Sequence, residues 1–333
     1  VITLSHGGGG RDTSRLIEKM FLPAFANPYV QVLHDGVVLP VPSDAIAFTT
    51  DSYVIDPLFF PGGDIGKLAV TGTVNDLAMC GARPLYMSCS FILEEGLLQS
   101  DLQRVVSSMK AEAVAQSLSI VTGDTKVIER RSGGGLFITT SGIGISMVSY
   151  PIDPLQIEPN DMILLSGDIG RHGMAIMALR EGLSFTSPLA SDCASLVPTV
   201  QALVEAQIRL HCLRDLTRGG LATALIELAE ASRLEFVVAE EAIAVSGQVK
   251  SACEMLGIDP LYVANEGRCI ALVPESHAEK ALQIMQELSH DSNAAIIGRV
   301  TANTSTPGVR IKNEFGTHRY LYKLSGDQLP RIC

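Results

Sequence analysis

Ser119-Ile120-Val121-Thr122-Gly123-Asp124-Thr125-Lys126 is the stretch on which the fold turns. Its apolar, β-branched opening predicts a strand over Ser119–Thr122. Gly123-Asp124-Thr125-Lys126 then reads as a glycine turn carrying a carboxylate, a hydroxyl and an ammonium. The arrangement occurs twice, because Ala45–Thr50 predicts another short strand with Asp51 at its end. A carboxylate at a strand end is well placed to hold a metal. Asp with Lys on a glycine turn is the composition met where metal and phosphate charge are handled together. The competing reading of both is a turn aspartate in water, with an Asp124–Lys126 surface ion pair.

Between these strands, Asp64 to about Cys80 has the spacing of a closely packed helix rich in Ala, Gly and Thr, with Asn75-Asp76 embedded. Asp76 is costly to bury there unless a cation or a donor meets it. After Pro84 the pattern predicts a strand over Leu85–Leu93. An amphipathic helix follows, capped by Ser100 and carrying Leu102, Val105, Val106 and Met109. Gly133–Met147 reads as a further strand region. Upstream, Gly7, Gly8, Gly9 and Gly10 run toward a helical pattern of Leu16, Ile17, Met20 and Phe21. Such a loop brings backbone amides close to a phosphate, or is simply a flexible entry segment. Gly62–Lys67 is not a phosphate-binding loop of the GxxxxGK[ST] type, because Leu68 follows the lysine.

Pro151, Pro154 and Pro159 mark a linker, and the domain boundary is placed near residue 154. The second half starts afresh with a strand over Asp161–Ser166, a glycine turn from Gly167 to Gly173, and a helix to about Arg180. Ile169 breaks the GxGxxG dinucleotide pattern. Arg214-Asp215-Leu216-Thr217-Arg218-Gly219-Gly220 opens onto a helix over Leu221–Ser232, a good anion site. Strands at Glu235–Ala239, Cys269–Val273 and Ala294–Val300 alternate with helices at Gln248–Leu256 and His277–Leu288, a second α/β unit. Asn265-Glu266-Gly267 precedes one of these strands, where an acidic residue is ordinarily solvated.

The totals bound the function. A chain of 333 residues makes roughly two domains, and 47% hydrophobic against 18% charged residues fills globular cores. A formal charge of -11 leaves no basic stripe for nucleic acid or an anionic membrane, and no apolar run is long enough to span a bilayer. Seven cysteines stand at 80, 89, 193, 212, 253, 269 and 333, without CxxC or zinc-ligand spacing. Six lie in apolar surroundings as structural thiols. An odd, unpatterned count points to a reducing cytoplasm. The seventh ends Pro330-Arg331-Ile332-Cys333, a thiol on a movable arm beside a cation that favours its thiolate. A frayed terminus that happens to carry a cysteine is the alternative.

Taken together, His6 to Arg11, Thr50 to Lys67, Gly72 to Pro84, Phe91 to Gly96, Val121 to Val127, Arg214 to Gly220, Ala264 to Gly267 and Pro330 to Cys333 resemble the HypE family, the carbamoyl dehydratases that mature nickel–iron hydrogenases. The resemblance runs the length of the chain. The block from Asp51 to Lys67 and the Pro-Arg-Ile-Cys ending separate this family from a superfamily that includes aminoimidazole ribonucleotide synthetase, selenophosphate synthetase and thiamine monophosphate kinase.

This resemblance implies an α/β protein of the α+β type with an aminoimidazole ribonucleotide synthetase-like fold. Residues 1–153 form the ATP-binding domain, residues 154–315 a second α/β domain, and residues 316–333 a flexible C-terminal tail. The N-terminal sheets pair across a homodimer. The implied cofactors are ATP and Mg2+, with Asp51, Asp76 and Asp124 holding the metal on the phosphates. Lys126 contacts the transferred phosphoryl group, and Glu266 acts as acid or base. Gly7 to Gly10, Asn75, Thr125, Thr217 and Arg218 bind the nucleotide. The implied activity is ATP-dependent dehydration of a carbamoyl group on Cys333 to a thiocyanate. The carbamoyltransferase HypF is the implied donor and the HypC–HypD complex the cyanide acceptor. A small-molecule kinase of the same superfamily and a non-catalytic carrier are the alternatives.

Overall fold

In the computed structural model the described residues are 1–3, 16–27, 45–129, 135–183, 189–288, 293–302, 307–313 and 315–324. The expectations at Gly7 to Gly10, at Gly133 and at Cys333 lie outside them. The chain divides into two compact units, the first built from Val1–Leu77 and Ala82–Ser146, the second from Ala78–Gly81 and the described residues from Met147 onward.

Among its described residues the first unit has a four-stranded sheet and two long helices, preceded by a short helical segment at Ile17–Phe21 and Leu22–Ala24. Its elements run β1 (Ile46–Tyr53), a hairpin of β2 (Phe59–Phe60) and β3 (Gly63–Asp64), α1 (Ile65–Met79), β4 (Ala82–Glu94), α2 (Gln99–Ala115), β5 (Ser119–Ile128) and β6 (Leu136–Ser146). The sheet order is β1-β6-β4-β5. Only β4 and β5 are parallel, and the crossover that such a pair requires is α2. Helix α1 is buried nearly all round, with Leu68, Ala69, Val70, Thr71 and Thr73 all at 0% exposure. Its start is fixed by Asp64, whose Oδ1 accepts from Gly66 N at 2.7 Å and Lys67 N at 3.1 Å. Thr73 donates to Ala69 O at 2.8 Å inside the helix and also contacts Thr140 Oγ1 of β6 at 2.6 Å.

Four local expectations are corrected. Asp51 is inside β1, two residues before its end, because pairing with β6 continues to Tyr53 opposite Ile138. Gly123–Lys126 is no turn: β5 runs on to Ile128, since its parallel ladder with β4 pairs Gly123 with Cys89 and Lys126 with Ile92. Gly123 is required by that close approach, as a Cβ there would meet Cys89 O at 2.3 Å. Ser100 is not the cap of α2. The helix begins at Gln99 with Leu98 as N-cap and no side-chain cap, and Asp101 supplies the negative charge in its first turn. Cys80, just past the end of α1, is exposed, so five described cysteines are buried where six were expected.

The second unit is a seven-stranded sheet. In chain order its elements are β7 (Met162–Leu165), α3 (Arg171–Arg180), α4 (Val197–Glu205), β8 (Cys212–Asp215), α5 (Gly220–Ser232), β9 (Glu235–Ala239), α6 (Gly247–Leu256), β10 (Cys269–Val273), α7 (Glu275–Leu288), β11 (Ala295–Thr301), β12 (Gly308–Lys312) and β13 (His318–Tyr320). The order is β13-β12-β9-β11-β7-β10-β8, antiparallel throughout except for β12 with β9. Strand β10 lies between β7 and β8 and is buried at every residue, which is why Cys269-Ile270-Ala271-Leu272-Val273 is a continuous apolar run. The core joins Ile163, Phe236, Ile270, Val300 and Ile311 to Leu221 and Leu225 of α5. Among the described residues no helix is long and apolar enough to cross a membrane.

Candidate active site

In the first unit the sequence-predicted carboxylates fall into two groups. Asp76 on α1 is half-buried, and its Oδ2 accepts from Thr49 Oγ1 at 2.7 Å. Thr49, Asp51 and Tyr53 alternate onto the same face of β1, toward α1, where Tyr53 Oη meets Thr73 Oγ1 at 3.3 Å. Asp51 and Asp76 therefore belong to one side of the sheet. Asn75, beside Asp76, is 2% exposed.

Asp124 and Lys126 belong to the other side. Register pairs Asp51 with Thr140, Thr140 with Cys89, and Cys89 with Gly123, so that row ends on a glycine. Asp124 is in the next row with Ser90, Thr139 and Ser52, on the opposite face. Asp51 and Asp124 also stand on opposite edge strands, three strand spacings or roughly 14 Å apart. Asp124 and Lys126 are exposed and paired at 3.7 Å, an interaction of small energy at a wet surface. Thr125 is half-buried and turns inward from between them, with its N donating to Asp124 Oδ1 at 2.8 Å.

The donor types suit magnesium, a hard cation that prefers carboxylate oxygen. It commonly takes one or two carboxylates, with substrate phosphates and water completing the shell. Among the described residues no group of three His, Cys, Asp or Glu side chains is assembled as a protein cage. Asp51 and Asp76 fit a metal whose remaining ligands come with the nucleotide.

In the second unit Glu266 is 4% exposed, not the solvated turn residue that its glycine neighbour implied. Its loop is held from both sides. Asn265 Oδ1 accepts from Gly170 N at 2.7 Å, and its Nδ2 donates to Leu216 O at 3.2 Å and Val263 O at 3.0 Å. One side chain thereby ties together the turn that ends at Gly170, shorter than the Gly167–Gly173 turn expected because α3 already begins at Arg171, with the segment before α5 and the Glu266 loop. Thr217 is half-buried and Arg218 exposed, two residues short of Gly220. Gly220 has φ +60°, and a Cβ on it would meet Val263 O at 2.5 Å, so the turn into α5 closes only on glycine.

Several participants had no signal in their local sequence. Asp168 is 2% exposed and lies between two guanidinium groups, accepting from Arg171 Nε at 2.6 Å and Arg268 Nη2 at 2.7 Å. Asp192, in the irregular segment before α4, accepts from Glu266 N at 3.3 Å and Gly267 N at 3.2 Å. His172 Nδ1 contacts Ser191 Oγ at 2.8 Å. The one available cue was the charge of Arg268 beside an otherwise apolar strand, which only a buried partner could tolerate.

The buried thiols are poor nucleophiles. Desolvation pushes Cys269 up to about 12, Cys212 to about 12 and Cys253 to about 11, and it raises Cys89 as well. The thiolate is the reactive form, so none of these four is prepared for attack near neutrality.

The chain matches the model of the AIR synthase related protein N-terminal domain over residues 33–146 and that of the C-terminal domain over residues 158–309. The carbamoyl dehydratase HypE of Azotobacter vinelandii is 47% identical over 332 residues, covering 100% of this chain and 97% of the relative. A crystal structure of the hydrogenase maturation protein HypE in complex with ATP superposes with TM-score 0.96 at 46% identity, over 100% of both chains. A crystal structure of a HypE–HypF complex matches with TM-score 0.80 at 43% identity, over 93% of this chain and 99% of that one. With both domains matched and kinship near one residue in two along the whole length, the chain belongs to the HypE family of carbamoyl dehydratases.

Proposed function

We propose that this chain uses ATP to dehydrate a carbamoyl group carried on Cys333, making the cyanide that becomes an iron ligand in nickel–iron hydrogenase. The observation that carries the reading is the full-length 46% identity to a HypE crystallised with ATP. Oxide is too poor a leaving group for an amide to lose water unaided. The carbamoyl oxygen therefore takes the γ-phosphoryl group of ATP, an O–P bond forming as ADP departs. The C–O bond then breaks and the oxygen leaves as part of phosphate. Two protons come off nitrogen, and S–C≡N remains on Cys333, the sum being loss of one water.

Glu266 takes the nitrogen protons, and its near-complete burial keeps water from competing for the activated group. Lys126 meets the charge that moves onto the phosphoryl oxygens, releasing its present partner Asp124 to do so. Asp51 and Asp76 would hold Mg2+, which would supply charge neutralisation for the phosphates. Asn75, Thr125, Thr217 and Arg218 bind the nucleotide, with Gly7 to Gly10 assigned to the same role from the sequence.

Asp124 stands on the opposite edge strand and the opposite face from Asp51, too far to ligate the same metal ion within one copy, and Lys126 lies beside it. We assign them to the site of a second copy in a homodimer. Support for such pairing comes from the sheet face away from α1, where Ile46 is 54% and Phe48 66% exposed, opposite Ile145 and Ile143 in register. HypF, which a relative was crystallised with, is the carbamoyl donor. A HypC–HypD complex is the cyanide acceptor. The cysteine usage fits a cytoplasmic protein.

Intact mass spectrometry after incubation with HypF, a carbamoyl donor and ATP tests the reading. The expected result is carbamoyl addition at Cys333 followed by loss of one water. Cys333→Ala should retain ATP binding and gain no mass. Cyanation of that variant at another residue refutes the assignment.

A further inference from the structure

Glu266 lies in a short loop, where a base needs its position imposed from outside the loop. The backbone on both sides of its side chain is held by one segment, residues 192–194, about 75 positions upstream. Asp192 Oδ1 accepts from Glu266 N at 3.3 Å, and Asp192 Oδ2 accepts from Gly267 N at 3.2 Å. Ala194 N donates to Glu266 O at 3.4 Å. The approach is close enough that a Cβ on Gly267 would meet Asp192 O at 2.1 Å.

The clamping segment is itself anchored. Ser191 Oγ accepts from Cys193 N at 3.0 Å and contacts His172 Nδ1 of α3 at 2.8 Å. On the far side, Arg268 Nε donates to Asp168 O at 2.9 Å and Arg268 Nη2 to Asp168 Oδ1 at 2.7 Å. Asp192 is 7% exposed, and a buried carboxylate is an expensive way to satisfy two neutral amides unless their exact placement matters.

We propose that Asp192 is the positioning residue for Glu266: its two oxygens, shared between consecutive amides, set the backbone of the base and hence the reach of its carboxylate. This inference rests on the reading of Glu266 as the base. A base works only within hydrogen-bond distance of its proton, about 2.6–3.2 Å. A displacement near 1 Å costs about 100-fold in rate.

The test is dehydration of the full-length protein carbamoylated on Cys333, followed by mass spectrometry at varied ATP. Asp192→Asn keeps one acceptor oxygen but turns an NH2 group toward the other amide. It should lower kcat by about 10- to 100-fold with KM for ATP within about twofold of wild type. Combined with Glu266→Gln it should add no further loss, since both changes disable the same group. Wild-type kcat in Asp192→Asn, a loss confined to KM, or a loss that multiplies that of Glu266→Gln overturns the proposal. Should the Asn variant not fold, Asp192→Glu keeps the charge and both oxygens while displacing them by one methylene. The same split between kcat and KM is then required of it. A fully active Glu266→Gln would instead remove the base reading itself, whatever Asp192 does.

Discussion

If Asp51 and Asp124 ligate one magnesium ion, they must do so from two copies of the chain, and mixed dimers decide this. The oxygens around one magnesium ion lie about 2.1 Å from it, so donors on one ion are within roughly 4 Å of each other. Strand order β1-β6-β4-β5 separates the backbones of Asp51 and Asp124 by roughly 14 Å, and register turns the two side chains to opposite faces. Two aspartate side chains cannot close that gap. The perturbation is a heterodimer of one Asp51→Ala chain with one Asp124→Ala chain, each with its own affinity tag. Shared sites leave one of the two intact, so the purified heterodimer should turn over at about half the wild-type rate. Sites confined to one copy would each lack a carboxylate, and removal of one electrostatic group from such a site costs about 100- to 1,000-fold. ATP-dependent loss of water from carbamoylated Cys333, read by mass spectrometry, separates these outcomes. A heterodimer no more active than either homodimeric variant refutes the reasoning, provided that a wild-type/Asp51→Ala heterodimer remains active.

Two further outcomes follow from the geometry. Thr49→Val deletes the hydroxyl that donates to Asp76 at 2.7 Å while conserving shape. A hydrogen bond to a charged group contributes roughly 1.5–3 kcal/mol, so urea unfolding should show a loss near the lower end, with a raised KM for ATP. An unchanged midpoint and KM would mean that Thr49 does not hold Asp76. The buried thiols also predict how stability varies with pH. Cys269 and Cys212 ionise at about 12 when folded, against 9.0 for an unperturbed thiol. Unfolding therefore releases protons as pH rises above 9, and each thiol lowers stability by about 1.4 kcal/mol per pH unit across that window. Cys269→Ala should remove one such share from the slope measured between about pH 9 and 11. Equal slopes would contradict the assignment.

The strands Glu235–Ala239 and Cys269–Val273 were legible to the residue, because a buried strand is written locally as an unbroken apolar or β-branched run. Helix α1 was legible for the same reason, its small residues repeating on every face. The reading of Gly123-Asp124 as a turn failed where a non-local partner outweighed local propensity, the ladder with β4 carrying β5 four residues past Asp124. Asp192 left no trace at all in its own neighbourhood, since its meaning lies in amides 74 and 75 residues away.

By itself, then, the sequence determined the residue types and spacings that identify the chemistry: carboxylates on strand and helix, Gly-Asp-Thr-Lys, Glu266 beside glycine, and a cysteine after Pro-Arg-Ile. Tertiary structure alone decided which of those carboxylates share a face. Asp51 joins Asp76 through Thr49, while Asp124 stands on the opposite edge and side. Face and edge depend on strand order and register, and these are set by the packing of segments far apart in the chain. No local pattern carries that information.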